Sequence, residues 1–134
     1  MLIIVKRSKT IFHEGLKLIN LKKITKILKA LSDESRIRII ALLKERNGLC
    51  VCEITQIIGL SQPTISSHLK KLQDAEIITY SKDGLWVNYT LDENMEKEIK
   101  QLLGLIIQIL SEDERIKSDV SRSFKINREM ICKK

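Results

Sequence analysis

Leu21, Ile24, Ile27, Leu28 and Leu31 recur three and four residues apart, the spacing of one helix face. Ser32-Asp33-Glu34 interrupts the pattern with the chemistry of a helix start: a short polar capping side chain, then acid in the first turn. Ile37, Ile40, Ala41 and Leu43 form a second apolar stripe, closed by the basic last turn and glycine of Arg46-Asn47-Gly48. A short helix is expected from about Val51 to Ile58, broken by Gly59. Ser61 caps the next one, which tolerates Pro63 in its first turn and runs to about Asp74. Around that axis Ile65, Leu69 and Leu72 fall within about 60° of each other, with Pro63, Thr64, Ser67, Lys70 and Lys71 opposite. A short helix, a tight glycine turn and a helix with one apolar and one small, polar, basic face make a helix-turn-helix pattern.

The period then changes. Glu76 to Tyr80 and Leu85 to Leu91 are β-prone, the second alternating Trp86, Asn88 and Thr90 against Leu85, Val87 and Tyr89. Lys82-Asp83-Gly84 between them predicts a hairpin. Asp92 is expected to cap a long helix through about Leu110, with Met95, Ile99, Leu102, Leu103, Ile106 and Leu110 close to a heptad spacing. Gly104-Leu105-Ile106-Ile107 is apolar nearly all round, so this helix is either central or paired with a second copy. The expected fold is mainly α with a small β-hairpin, a winged helix-turn-helix dimerised through its terminal helices. Residues 1–20 read as a basic N-terminal extension and 21–110 as the folded domain. Residues 111–134 form a tail of mixed charge carrying Cys132, to which the pattern assigns no element.

Composition narrows the class. A chain of 134 residues has room for one core, and 43% apolar residues exclude a disordered chain. Aromatics at 4% disfavour a single-strand binder that stacks bases on rings. The net charge of +7 points to nucleic acid or an anionic membrane, but it is unevenly placed. Residues 1–31 carry +7, residues 32–110 carry −2 and residues 111–134 carry +2. The excess therefore lies ahead of the helix-turn-helix, as a phosphate-contacting arm or a solvated face. No apolar run approaches the roughly 18 residues of a membrane span. Met1 to Val5 precede Lys6-Arg7, the reverse of a signal peptide's order, so the chain reads as cytoplasmic with no membrane partner. Three cysteines, two of them at Cys50 and Cys52, are no disulfide framework; a close thiol pair in a reducing compartment points to metal or redox chemistry.

Four stretches resemble the ArsR/SmtB family of repressors: Leu28 to Leu43, Leu49-Cys-Val-Cys-Glu-Ile54, Ser61-Gln-Pro-Thr-Ile-Ser-Ser-His-Leu69, and the wing Asp83 to Tyr89. They occur in the family's order and cover about residues 24 to 108. The resemblance implies a winged-helix homodimer that sits on a double-stranded DNA operator and leaves it when a toxic metal or metalloid binds. The Leu-Cys-Val-Cys form is similar to the arsenic-responsive branch. Three departures matter. The family often has Arg where this chain has Ser67 and Leu85, which removes two DNA contacts. A third Cys often follows the pair by three residues, where this chain has Thr55.

On this reading Gln62, Thr64 and Ser67 reach base edges, Ser66 is a further DNA-binding candidate, and Lys70, Lys71 and Lys82 contact phosphates. His68 belongs to the same motif, but its place at the edge of the apolar stripe favours packing on the preceding helix over a base contact. Two recognition helices roughly 34 Å apart imply an inverted-repeat operator. Cys50 and Cys52 are the metal-ligand candidates. In an ideal helix residues i and i+2 point about 200° apart, so two thiolates grip one ion only if that segment is extended or unwinds. Binding there would distort the first helix of the helix-turn-helix. Thiolates suit thiophilic ions, and As(III) favours three of them, which leaves Cys132 as the third, from the same chain or its partner.

His13 reads as a surface residue, and Glu93, Glu96 and Glu98 alone do not make a zinc set. The effector alternatives are Cd, Pb or oxidation at the same thiols. An effector-free architectural DNA-binding protein is a different class, distinguished by a steep salt dependence and little sequence preference. An enzyme is disfavoured, because there is no glycine-rich phosphate loop and the two histidines have no triad spacing.

Overall fold

The structure, a computed structural model, describes residues 19–131. His13, most of the basic N-terminal segment and Cys132 lie outside the described residues. The elements are α1 (Leu21–Leu31), α2 (Glu34–Glu45), α3 (Val51–Ile58), α4 (Gln62–Asp74), β1 (Ile78–Asp83), β2 (Trp86–Leu91), α5 (Lys97–Ile109), α6 (Glu114–Ser123) and α7 (Arg128–Ile131).

Side-chain caps fix several helix starts. Asn20 accepts from the Lys23 N–H at the head of α1, Asp33 from Arg36 at α2, and Ser61 from Thr64 at α4. Each satisfies an N–H that the helix cannot pair internally, a contribution of about 1 kcal/mol. Gly59 ends α3 at φ +85°, a left-handed residue where only glycine is unstrained. The α3–α4 pair is thus the helix-turn-helix that the pattern predicts. Ile65, Leu69 and Leu72 of α4 are fully buried, each stabilising the fold by about 1.5–3 kcal/mol.

Helix α2 is the axle. The sequence pattern assigns it one stripe, but Ile39, Ile40, Ala41, Leu42 and Leu43 are all buried, because α1, α3, α4, α6 and β2 surround it. The wing is a two-stranded antiparallel hairpin with Asp83 opposite Trp86, so Gly84 and Leu85 form the turn. Gly84 takes φ +63°, as a primed two-residue turn requires. The turn lies one residue beyond Asp83-Gly84, and Lys82 sits in the strand opposite Val87. Leu49 adds an isolated bridge beside the hairpin: it exchanges backbone hydrogen bonds with Tyr89 at 3.1 and 2.8 Å.

Two sequence expectations change. Asp92 does not cap the long helix; its carboxylate accepts from the Asn94 N–H in a local turn while its own N–H donates to Ile77, and α5 starts at Lys97. The segment after Ser111 carries two helices. Asp113 caps α6 by accepting from Arg115 and Ile116, and Arg38 holds α6 with a two-pronged pair to the buried Asp119 at 2.8 Å. Arg46 adds a bond to the Ser123 carbonyl at 2.6 Å and lies over the Phe124 ring. On α5, Ile99 and Leu103 enter the core while Leu105 and Ile109 face outward.

Helix α4 ends in a Schellman arrangement, with Ile77 N–H donating to Leu72 and Glu76 N–H to Gln73. Its left-handed residue is Glu76, at φ +60°. A side chain costs about 1–2 kcal/mol in that conformation, and glycine gives part of that back as unfolded-state entropy. Glu76→Gly is expected to raise stability by about 0.5–1 kcal/mol in urea unfolding. A loss of stability would show that the exposed Glu76–Lys23 pair outweighs the backbone strain.

Candidate nucleic-acid interface and thiol site

Helix α4 presents Gln62, Thr64, Ser66, Ser67, Lys70 and Lys71 to the outside, all exposed. Its buried leucines point the opposite way, so the core face determines which side chains stand free. The Thr64 hydroxyl shares a hydrogen bond of 2.8 Å with the capping Ser61, and Lys70 is 2.9 Å from Asp74 across one turn. Lys82 is exposed on β1, near the wing tip. A cleft of about 310 Å³ between α1 and α4 is lined by Lys26, Lys29, Arg36, Lys71 and Asp74. The basic side of α1 therefore lies beside the candidate reading helix, a relation that net charge along the chain does not show.

His68 is half-buried, and its Nδ1 lies 3.1 Å from Nη1 of Arg36 on α2. Arg36 is itself buried and donates from Nε to the Ala30 carbonyl at 2.6 Å. A guanidinium only donates, so Nδ1 is the acceptor and the imidazole is neutral. Burial lowers the His68 pKa, the charges of Arg36 and Lys71 add to that, and Asp33 opposes it.

The thiol pair straddles a helix boundary. Cys50 is the N-cap of α3, with extended backbone at φ −87° and ψ 167°, and Cys52 is the second residue of the helix. Cys50 is buried and Cys52 partly so. Glu53 reaches back one turn, and its Oε1 accepts the Cys50 N–H at 3.0 Å. Burial pushes the Glu53 carboxyl upward, but the Cys50 N–H and Arg128 outweigh it and hold the group below the usual carboxylate range. Thr55, where the resemblance expects a third thiol, has a buried hydroxyl with no hydrogen-bond partner among the described residues.

The residues that sequence reading missed are those around this pair. Arg128 of α7 donates to Glu53 Oε1 at 2.7 Å and to Asn88 Oδ1 on β2 at 2.6 Å, and its guanidinium lies over the Trp86 ring at 4.9 Å. The tail thus meets the thiol helix and the wing together. Nothing in the local pattern marks Arg128, because it is one cation in a mixed-charge run. Among the described residues no three His, Cys, Asp or Glu side chains are grouped to hold a metal ion. No helix among them is long and apolar enough to cross a membrane.

A helix-turn-helix followed by a two-stranded wing defines a winged helix-turn-helix protein. Residues 33–80 match the family described as bacterial regulatory protein, arsR family. The chain is 41% identical over 85 residues to the arsenical resistance operon repressor of Staphylococcus aureus, covering 63% of this chain and 81% of that one. It belongs to the arsR family. It is 40% identical over 76 residues to a cadmium resistance transcriptional regulatory protein, the CadC homolog of Staphylococcus aureus, covering 57% of this chain. That match spans 63% of the relative's length, less than two thirds. Among solved structures, the transcriptional repressor BigR from Xylella fastidiosa superposes with a TM-score of 0.59 at 28% identity, over 69% of this chain and 88% of that one.

The His68 environment predicts a pH effect. The folded chain binds the imidazole proton less readily than the unfolded chain, whose pKa is about 6.5. Stability is therefore lost as pH falls below the unfolded value, and the loss stops growing below the lowered folded value. Urea midpoints at about pH 7.5 and about pH 5.5 are expected to fall further for the wild type than for His68→Gln. Equal falls would place the titration on another group.

Proposed function

We propose that the chain is a homodimeric, cytoplasmic transcriptional repressor that binds an inverted-repeat operator in double-stranded DNA and releases it when As(III) or Sb(III) binds its thiolates. The observation that carries this reading is the backbone at the thiol pair. Cys50 is already extended and only Cys52 is helical, so bringing both sulfurs to one side requires opening a single helix turn. That turn begins the helix-turn-helix, whose second helix reads DNA. Thiolates are the donors a thiophilic ion prefers.

Cys50 and Cys52 supply two ligands, and Cys132 is assigned as the third, from the same chain or its partner. The identity to an arsenical resistance repressor supports As(III). The identity to a cadmium resistance regulator favours, as a second reading, Cd(II) or Pb(II) at the same thiols. Gln62, Thr64, Ser66 and Ser67 are assigned to base edges, and Lys70, Lys71 and Lys82 to phosphates. His68, half-buried, lies at the margin of that face. The cleft of Lys26, Lys29 and Lys71 extends the phosphate-binding surface onto α1. A second copy of the chain is assigned to the outward apolar side chains of α1 and α5: Leu21, Leu28, Leu105 and Ile109.

Operator release tests the reading. Reduced protein bound to a labelled operator is titrated with As(III), Sb(III), Cd(II) and Pb(II) and followed by anisotropy; As(III) is expected to release DNA at the lowest concentration. Release by none of the four would end the sensor reading. Cys50→Ser keeps a side-chain oxygen at the N-cap, so operator affinity is expected to hold while the As(III) response weakens about a hundredfold, or about 2.7 kcal/mol. An unchanged response would move the site elsewhere.

Thr55→Cys gives a further test. It places a thiol one turn from Cys52 on the same helix face and removes the unpartnered hydroxyl. It is expected to tighten As(III) about tenfold and to make Cys132→Ser silent. No gain in affinity would argue against three-thiolate ligation at α3.

A further inference from the structure

One oxygen on Glu53 holds two loads. Oε1 accepts the Cys50 N–H at 3.0 Å and also Nη2 and Nε of Arg128 at 2.7 and 3.2 Å. The same Nη2 donates to Asn88 Oδ1 at 2.6 Å, and the guanidinium plane covers Trp86. Asn88 and Trp86 both belong to β2, the wing strand that Leu49 bridges immediately before Cys50. The thiol residue is therefore tied to the wing by two routes: its own backbone, through Leu49 and Tyr89, and the tail, through Glu53 and Arg128. Glu53 is 6% exposed, so a carboxylate left without its arginine would be a buried, unpaired charge. The two routes make the start of α3 and the wing one mechanical unit.

We propose that Arg128 is the positioning residue that couples the Cys50/Cys52 site to the wing: through Glu53 and Asn88 it keeps β2 in register with the start of α3, and loading both thiols breaks that register. This rests on the thiol reading above. To bring Cys52 round to Cys50, the first turn of α3 must open, which takes the Glu53 carboxylate away from the Cys50 N–H. Glu53 and Arg128 then reorganise as a pair, and the guanidinium shifts against Asn88 and Trp86. Wing and reading helix no longer hold the spacing that a DNA groove requires.

Trp86 is the only tryptophan in the chain, so its emission reports the clamp directly, without DNA. The probe is phenylarsine oxide, which takes two thiols: two S–H bonds break, two As–S bonds form, and its oxygen leaves as water with no redox change. In the full-length reduced protein, probe uptake by Cys50 and Cys52 is expected to shift Trp86 emission. Arg128→Ala is expected to lose that shift while taking up the probe within about threefold of wild type, and the ratio of operator affinities with and without probe should fall about tenfold. Arg128→Lys keeps a charge on Glu53 but cannot span to Asn88, so it should fold, by circular dichroism, and lose most of the shift. A wild-type-sized shift in either variant overturns the proposal, as does probe uptake with Trp86 silent in the wild type. No uptake by Cys50 and Cys52 in the wild type overturns the thiol reading and this inference with it.

Discussion

Helix α2 has no side left for solvent along its middle turn, and most of the architecture follows from that. Five consecutive residues, Ile39 to Leu43, are buried, so neighbours are needed all the way round. Helices α1, α3 and α4 cover part of it, the wing strand β2 covers more, and α6 closes the last side. A helix-turn-helix with its wing would leave that last side wet. Burial of aliphatic surface at roughly 25 cal/mol per Å² makes α6 an integral part of the domain rather than an appendage.

Helix α6 is held differently from the others. Its inward residues include Asp119 and Ser123, both buried, and its partners are arginines of α2 and the loop after it. Such ties give modest net stability; Asp119 is paired by Arg38 and also by Arg122 of its own helix, so the buried carboxylate is held from two sides. They define one seating for the tail. That seating brings α7 to the start of α3, where Arg128 reaches the acid that caps the thiol helix. The position of a surface arginine at a candidate effector site thus depends on packing around α2, some distance away.

The thiol pair gains its meaning from a boundary. The same two cysteines inside a helix would diverge, and inside a strand they would be permanently aligned. Straddling the N-cap, they are one turn from alignment, and the Glu53 carboxylate helps to cap that turn. Helix α4 behind it is fixed by Gly59 and by three buried side chains, Ile65, Leu69 and Leu72. A local opening at Cys50, as the proposed sensing requires, would therefore be passed to a rigid element rather than absorbed by a loose one.

The amino-acid sequence by itself determined the elements whose cues lie within a turn or two. These are the helix start within Ser32-Asp33-Glu34, though the cap is Asp33 rather than Ser32, the cap at Ser61, the breaks at Gly59 and Gly84, the apolar stripe of α4 and the thiol pair at the head of α3. Periodicity, capping and turn chemistry are short-range, so they are written where they act. The all-round burial of α2, the late start of α5, the left-handed Glu76 and the tail helices were not legible in the same way. Asp92 looks like a cap until Ile77 takes its N–H, and Arg128 looks like any surface cation until Glu53 is beside it. The pairs Arg38–Asp119 and Arg128–Glu53 join residues 81 and 75 positions apart. Only the tertiary structure decided those pairings, because a charge in a polar run carries no periodic mark of its partner, and the partner is chosen by which surfaces the core brings together.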